Sequence, residues 1–358
     1  MAMSSHPFLL LVISLSIIIY TNSKPLLNDV TSPYLSPTTL FKNYDKMLKN
    51  FRIYIYKPSN PLTFNTQPES LFYKSLLHSS FVTQDPEQAH LFFVPFPNMS
   101  TRSLSRLVKD LRINFPFWNR TLGADHFYLS RTGIGYAADR NVLELKKNAI
   151  QISSFPTIPG NFIPHKDITL PPPNPGNDNP LDLLSHAAIN TTQMFYAFGD
   201  NRDGRSQIQL VNEMNNESRL AAGRFCLIRY SIVNDEMSWL GEVLRLGCLP
   251  VVITDRPIQD LPFMDLLRWS DIAVFVGAKQ GEGELNKIVK KMIDGKEENE
   301  YGRMRDFGMK VSQQHFTWNE IAEPYDAFHM VMYQLWLRRH TIRYARREWD
   351  DDEENKSS

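Results

Sequence analysis

The chain has 358 residues, 42% of them hydrophobic and 22% charged, a globular composition that sets aside both disorder and a polytopic membrane protein. Its 39 basic and 39 acidic residues cancel, so no bulk attraction to nucleic acid or to an acidic surface follows. Two cysteines, Cys226 and Cys248, exclude a disulfide scaffold and a zinc cluster; one disulfide and two buried thiols both fit.

Residues 1–23 read as a signal peptide or a signal-anchor. The stretch 7–20 (PFLLLVISLSIIIY) carries no charge, and it is shorter than the roughly 20 residues that a bilayer span needs. Sequons at Asn98, Asn119, Asn190, Asn216 and Asn355 agree with a lumenal address. Residues 24–50, rich in Pro, Ser, Thr and Asn with little periodicity, read as a stem.

From residue 51 strands and helices alternate. Strand patterns cover residues 51–56, 89–95, 126–130 and 149–155, with helical spacing over 68–79, 102–115 and 139–147. This first unit is placed at 51–169. The run 170–180 (LPPPNPGNDNP) supports neither helix nor central strand, so residues 170–190 are expected to be a Pro-rich linker.

A second unit is expected over 191–325. It has strands at 193–198, 225–230, 248–254 and 272–276, and helices from 205, over 236–246 and over 284–293. Residues 326–358 hold the end of a terminal helix (325–344) and an acidic tail. Alternation of this kind predicts an α/β fold with parallel sheets and a ligand cleft at the carboxyl ends of the strands.

Residues 225–269 read FCLIRYSIVNDEMSWLGEVLRLGCLPVVITDRPIQDLPFMDLLRW. Within them stand Phe225-Cys226-Leu227, Glu242, Gly247-Cys248-Leu249-Pro250-Val251, Asp255, Pro262-Phe263 and Trp269. Upstream stand Gly123-Ala124-Asp125-His126-Phe127, Lys166-Asp167-Ile168 with Pro171, and Phe198-Gly199. In this order and spacing they resemble the plant exostosin-like glycosyltransferases over roughly residues 51–325. The resemblance implies a GT-B-like fold: two facing Rossmann-like domains, acceptor domain first and donor domain second, with a C-terminal helix. It also implies an inverting transfer from a nucleotide sugar to a glycan acceptor and a Golgi address. Where family members carry Ser-Pro-Arg, this chain has Asn234-Asp235-Glu236-Met237-Ser238-Trp239. A non-catalytic scaffold subunit of a glycosyltransferase complex is therefore the alternative.

Such a transfer needs a stabilised diphosphate, held sugar hydroxyls and an acceptor that loses a proton. Gly199, Arg202 and Arg205, at a Gly-rich helix start, are the candidates for the diphosphate. Arg229 is a further cation at a strand end. The resemblance gives Glu242 the ribose or sugar hydroxyls. Asp139, His165 and Asp167 are the candidate bases, and the choice among them stays open. Asp125 and His126 begin their strand and point away from its carboxyl end, and Asp139 is also placed to cap a helix. No metal or other cofactor is expected, because the only D-x-D, in 350–352, lies in the charged tail. The expected partners are the nucleotide sugar, the glycan acceptor and, if the N-terminal segment is uncleaved, a Golgi membrane; soluble lumenal or secreted protein is the alternative. A dinucleotide-dependent oxidoreductase does not fit, since no G-x-G-x-x-G follows the first strand.

Overall fold

The computed structural model describes residues 32–57, 62–64, 66–96, 100–173, 225–230, 240–278, 287 and 298–339. The expected strand 193–198, the Gly199–Arg205 helix start, the linker beyond residue 173 and the acidic tail lie outside them. So does the expected helix 284–293, apart from residue 287.

Two parallel sheets form the frame. The first has the order β2-β1-β3-β4-β5-β6. Its strands are β1 (Ile53–Ile55), β2 (Val82–Thr83), β3 (Leu91–Phe93), β4 (His126–Leu129), β5 (Ile150–Ser154) and β6 (Ile168–Leu170). The second has the order β7-β8-β9, from Phe225–Arg229, Leu249–Thr254 and Val274–Gly277. Parallel strands are covered on both faces, so they read as apolar runs such as LFF and LPVVIT. The register puts Tyr54 beside Phe92 and His126 beside Phe92 on the other side.

Helix α1 (Pro37–Asn50) corrects the expected stem. Leu40, Tyr44 and Met47 recur at helical spacing and are buried. The preceding segment is tied to the second unit: Leu35 donates its N–H to Leu266 at 2.8 Å, and Arg268 donates to Pro33 at 2.8 Å. Lysines and asparagines around the apolar stripe masked it in the sequence.

Helices α2 (Gln67–His78), α3 (Thr101–Asn114) and α5 (Arg140–Asn148) match the expected ones within a residue or two. A short α4 (Pro116–Thr121) was not expected. Helices α3, α4 and α5 cover one face of the first sheet, over Phe92, Val108, Trp118, Tyr128 and Leu145.

The opposite face joins a continuous core that runs into the second unit, from Phe51, Phe72 and Phe127 to Val252, Trp269 and Phe316. There α6 (Leu240–Arg245) packs on α7 (Glu298–His315), a helix the sequence reading missed. A terminal helix, α8 (327–339), returns to the first sheet. Its Trp336 meets the Phe51 ring at 5.6 Å, and Phe328 meets Phe72 at 5.6 Å. Cys226 of β7 and Cys248, just before β8, form a disulfide.

Candidate active site

Crossover connections in parallel sheets leave ligand space at the carboxyl ends of the strands. In the first sheet, β5 ends at Ser154 and continues through Phe155, a cis peptide bond to Pro156, and Thr157. In the second, β7 is followed by Tyr230 and β8 by Asp255 and Arg256. Asp260 ties these ends together. Its Oδ2 accepts the Thr157 N–H at 2.7 Å and the Thr157 hydroxyl at 2.6 Å. Its Oδ1 accepts the Tyr230 hydroxyl, and its backbone carbonyl accepts the Thr169 hydroxyl of β6 at 2.8 Å.

All four residues are buried. Burial, and then the Asp260 charge, hold the Tyr230 hydroxyl far above the ordinary phenol value, so it stays a donor. Beside this clasp the Arg256 guanidinium carbon stands 5.1 Å from the Tyr230 ring centroid. The turn that carries it is closed by Thr254, whose hydroxyl accepts the Arg256 N–H at 3.2 Å and donates to the Arg256 carbonyl at 2.5 Å.

The residues singled out from the sequence do not all gather here. Asp139 is the N-cap of α5, accepting from Asn141 N at 2.9 Å and Val142 N at 3.1 Å. The Ser105 hydroxyl donates to its other oxygen at 2.8 Å. The Ser105 bond, followed by the Val142 amide, holds the Asp139 carboxyl below the usual carboxylate range, which makes it a poor base.

Asp167 is sealed in the interior. It accepts from Gln151 N at 3.1 Å and Ile163 N at 2.9 Å and pairs with Lys146 and Lys166. An acceptor hydroxyl has no path to it, so the structure removes it as a base and gives it an internal structural role. His165 is exposed on the turn before it. Asp125 and His126 are likewise internal. His126 Nδ1 bonds Asp125 at 2.7 Å and Nε2 bonds the Tyr56 hydroxyl at 2.9 Å, with the ring stacked on Phe92.

Gly199, Arg202 and Arg205 lie outside the described residues. Arg229 ends β7 beside Ile253 and is exposed. Glu242 of α6 is only 2% exposed. Its Oε2 accepts Arg245 Nε at 2.8 Å, and its Oε1 is taken by Arg245 Nη2. Both oxygens are thus engaged by Arg245 in the interior, each keeping a further lone pair, and the expected donor contact of Glu242 stays an expectation.

Arg256, Asp260, Tyr230 and Thr157 were missed. For Arg256 the sequence held a signal, a cation two residues beyond the apolar run 249–254. For Asp260 it held none, because Thr157 is 103 residues away.

The sequence pattern of the Exostosin GT47 domain matches residues 47–292, more than half of the chain. A probable glycosyltransferase of Arabidopsis thaliana, At3g07620, is 26% identical over 373 residues, covering 90% of this chain and 77% of that protein. The probable beta-1,4-xylosyltransferase IRX10L of Arabidopsis thaliana is 27% identical, covering 72% of this chain and 71% of its own length. A probable glucuronosyltransferase of Oryza sativa subsp. japonica, Os02g0520750, is 25% identical, covering 81% and 75%. The two parallel sheets joined at their carboxyl ends are the GT-B-like frame that this family uses. The chain belongs to the exostosin GT47 family and is a glycosyltransferase.

Proposed function

We propose that the protein transfers a sugar from a nucleotide sugar, with inversion, to a cell-wall polysaccharide or a glycoprotein glycan in the Golgi lumen. The observation that carries this reading is the clasp at Asp260, where strand ends of an acceptor-side sheet and a donor-side sheet meet. The acceptor side is the first unit, 51–169, and the donor side the second, 191–325. The likeness to a probable xylosyltransferase and a probable glucuronosyltransferase supports a wall glycan as acceptor and a pentose or uronic acid as donor sugar.

A lumenal address is supported by two features. The Cys226–Cys248 disulfide suits an oxidising compartment. Asn119, in the only sequon lying wholly among the described residues, is exposed at the surface. Donor binding is proposed to need no metal, the diphosphate being met by backbone amides and arginines.

The test is turnover and thermal stabilisation of the purified protein with a panel of nucleotide sugars, each with and without chelator. Transfer that survives chelation is expected. Loss of binding on chelation overturns metal independence. Failure of every donor to bind or react leaves the scaffold-subunit alternative. Glycosidase sensitivity of the expressed protein checks the lumenal address, and a cytosolic, unglycosylated product overturns it.

A further inference from the structure

We propose that Arg256 is a cation that receives the departing diphosphate. The proposal rests on the nucleotide-sugar reading above. Arg256 lies two residues beyond the carboxyl end of β8, and β8 is the middle strand of the second sheet. The phosphates of a nucleotide bound to such a sheet lie at that edge.

Its position is fixed from two sides. Thr254 closes the turn beneath its backbone, and the Tyr230 ring lies 5.1 Å from its guanidinium carbon. Tyr230 is itself anchored by Asp260, so the guanidinium rests on the clasp that joins the two sheets. Among the described residues no carboxylate forms an ion pair with Arg256. The acid closest in sequence, Asp255, is exposed, and the Asp260 oxygens are occupied by Thr157 and Tyr230. A guanidinium has five N–H donors in a rigid fork that matches phosphate oxygens. Arg256 also bonds the Tyr230 hydroxyl that Asp260 holds. An anchored, half-buried arginine at a strand end, with no carboxylate ion pair among the described residues, keeps further N–H donors for an anion.

In the transfer, an acceptor hydroxyl oxygen forms a bond to the anomeric carbon as the bond from that carbon to the diphosphate breaks. The electron pair leaves with the diphosphate, which gains one negative charge, and the hydroxyl proton passes to solvent. Arg256 meets that growing charge, so it stabilises the transition state more than the bound donor.

The experiment measures binding of UDP, GDP, uridine and guanosine to the full-length protein by calorimetry, for the natural chain, Arg256→Gln and Arg256→Met. The methionine variant keeps an apolar stem on the Tyr230 ring and serves if the glutamine variant does not fold. One diphosphate is expected to bind more tightly than its nucleoside. The variants are expected to lose roughly ten- to hundredfold in diphosphate affinity, with nucleoside affinity and melting temperature unchanged. A merely structural Arg256 would lower both affinities together or lower stability, and that result overturns the proposal. Diphosphate binding that the variants leave intact overturns it too, while the nucleotide-sugar reading stands. If the natural chain binds neither diphosphate, both fall.

Discussion

Glu242 and Arg245 are a buried pair one helical turn apart, with both carboxylate oxygens engaged. Removing one member of such a pair strands the other charge at a cost of about 3–5 kcal/mol. Glu242→Ala is therefore expected to lower the unfolding free energy by that much, read as a fall in the urea midpoint. A midpoint that does not move, together with lost donor binding, would place Glu242 at the donor site. His315 makes a second prediction. Its Nδ1 bonds the Tyr325 carbonyl at 2.7 Å, which can only accept, so Nδ1 carries the proton and Nε2 accepts the Tyr34 hydroxyl at 2.7 Å. Burial is the main cause that pulls its pKa down to about 4. The unfolded chain binds a proton below about 6.5 that the folded ring refuses, so stability falls as the pH drops from there toward 4. Between pH 7 and 5 the loss is about 2 kcal/mol. Denaturant midpoints at the two pH values check it, and His315→Gln, which keeps a donor and an acceptor without titrating, is expected to flatten the difference.

Strands β1, β3, β4, β5, β7, β8 and β9 were legible as elements, because a parallel strand covered on both faces has to be apolar along its length, as Leu249–Thr254 is; β2 and β6, only two and three residues long, were not. Helix α7 was not. Its buried positions Tyr301, Met304, Val311 and His315 do recur at helical spacing, but Gly302, Gly308 and a run of charges weaken the local signal. Gly308 is explained only by packing: a Cβ there would stand 2.8 Å from Leu244 Cδ2 of α6. Gly123, in the turn that feeds β4, faces the same constraint in a stronger form. Its φ is +83°, and a Cβ would lie 2.7 Å from the ring of the fully buried Trp118. Gly123→Ala is expected to cost about 2 kcal/mol or more, from left-handed strain and overpacking combined. Chemical denaturation reads it, and a variant as stable as the natural chain would show that the Trp118 ring can yield.

At the scale of the molecule, the two sheets are held by the Asp260 clasp, by the continuous core and by helix α8. Arg338 of α8 donates to the Lys166 carbonyl at 2.7 Å and the Asp167 carbonyl at 2.9 Å, and pairs with Asp265 at 2.8 Å, so it touches both units. Asp260→Asn can keep its oxygen for the two Thr157 donors and turn its N–H₂ to the Tyr230 hydroxyl, which must then accept, so the three bonds to a carboxylate become bonds to a neutral amide. A hydrogen bond to a charged group is worth roughly 1 kcal/mol more than one to a neutral group. The variant is expected to lose that much stability and to be cleaved faster by protease near residues 155–157, while Thr157→Ser, which keeps both donors, is expected to match the natural chain. Equal cleavage of all three would mean that the core alone sets the arrangement of the sheets.

The sequence by itself determined the α/β alternation and the family, because each is written in short-range pattern: apolar runs, helical spacing and ordered motifs. Tertiary structure alone decided which polar residues are available for chemistry. Asp167 looks like a site carboxylate in the chain, yet it is sealed against cations. Arg256 looks like a surface charge and stands at the strand ends. The physical reason is distance along the chain. The partners that bury or expose a polar group, such as Thr157 for Asp260 or Arg338 for Asp167, lie 103 and 171 residues away, where no local pattern reaches.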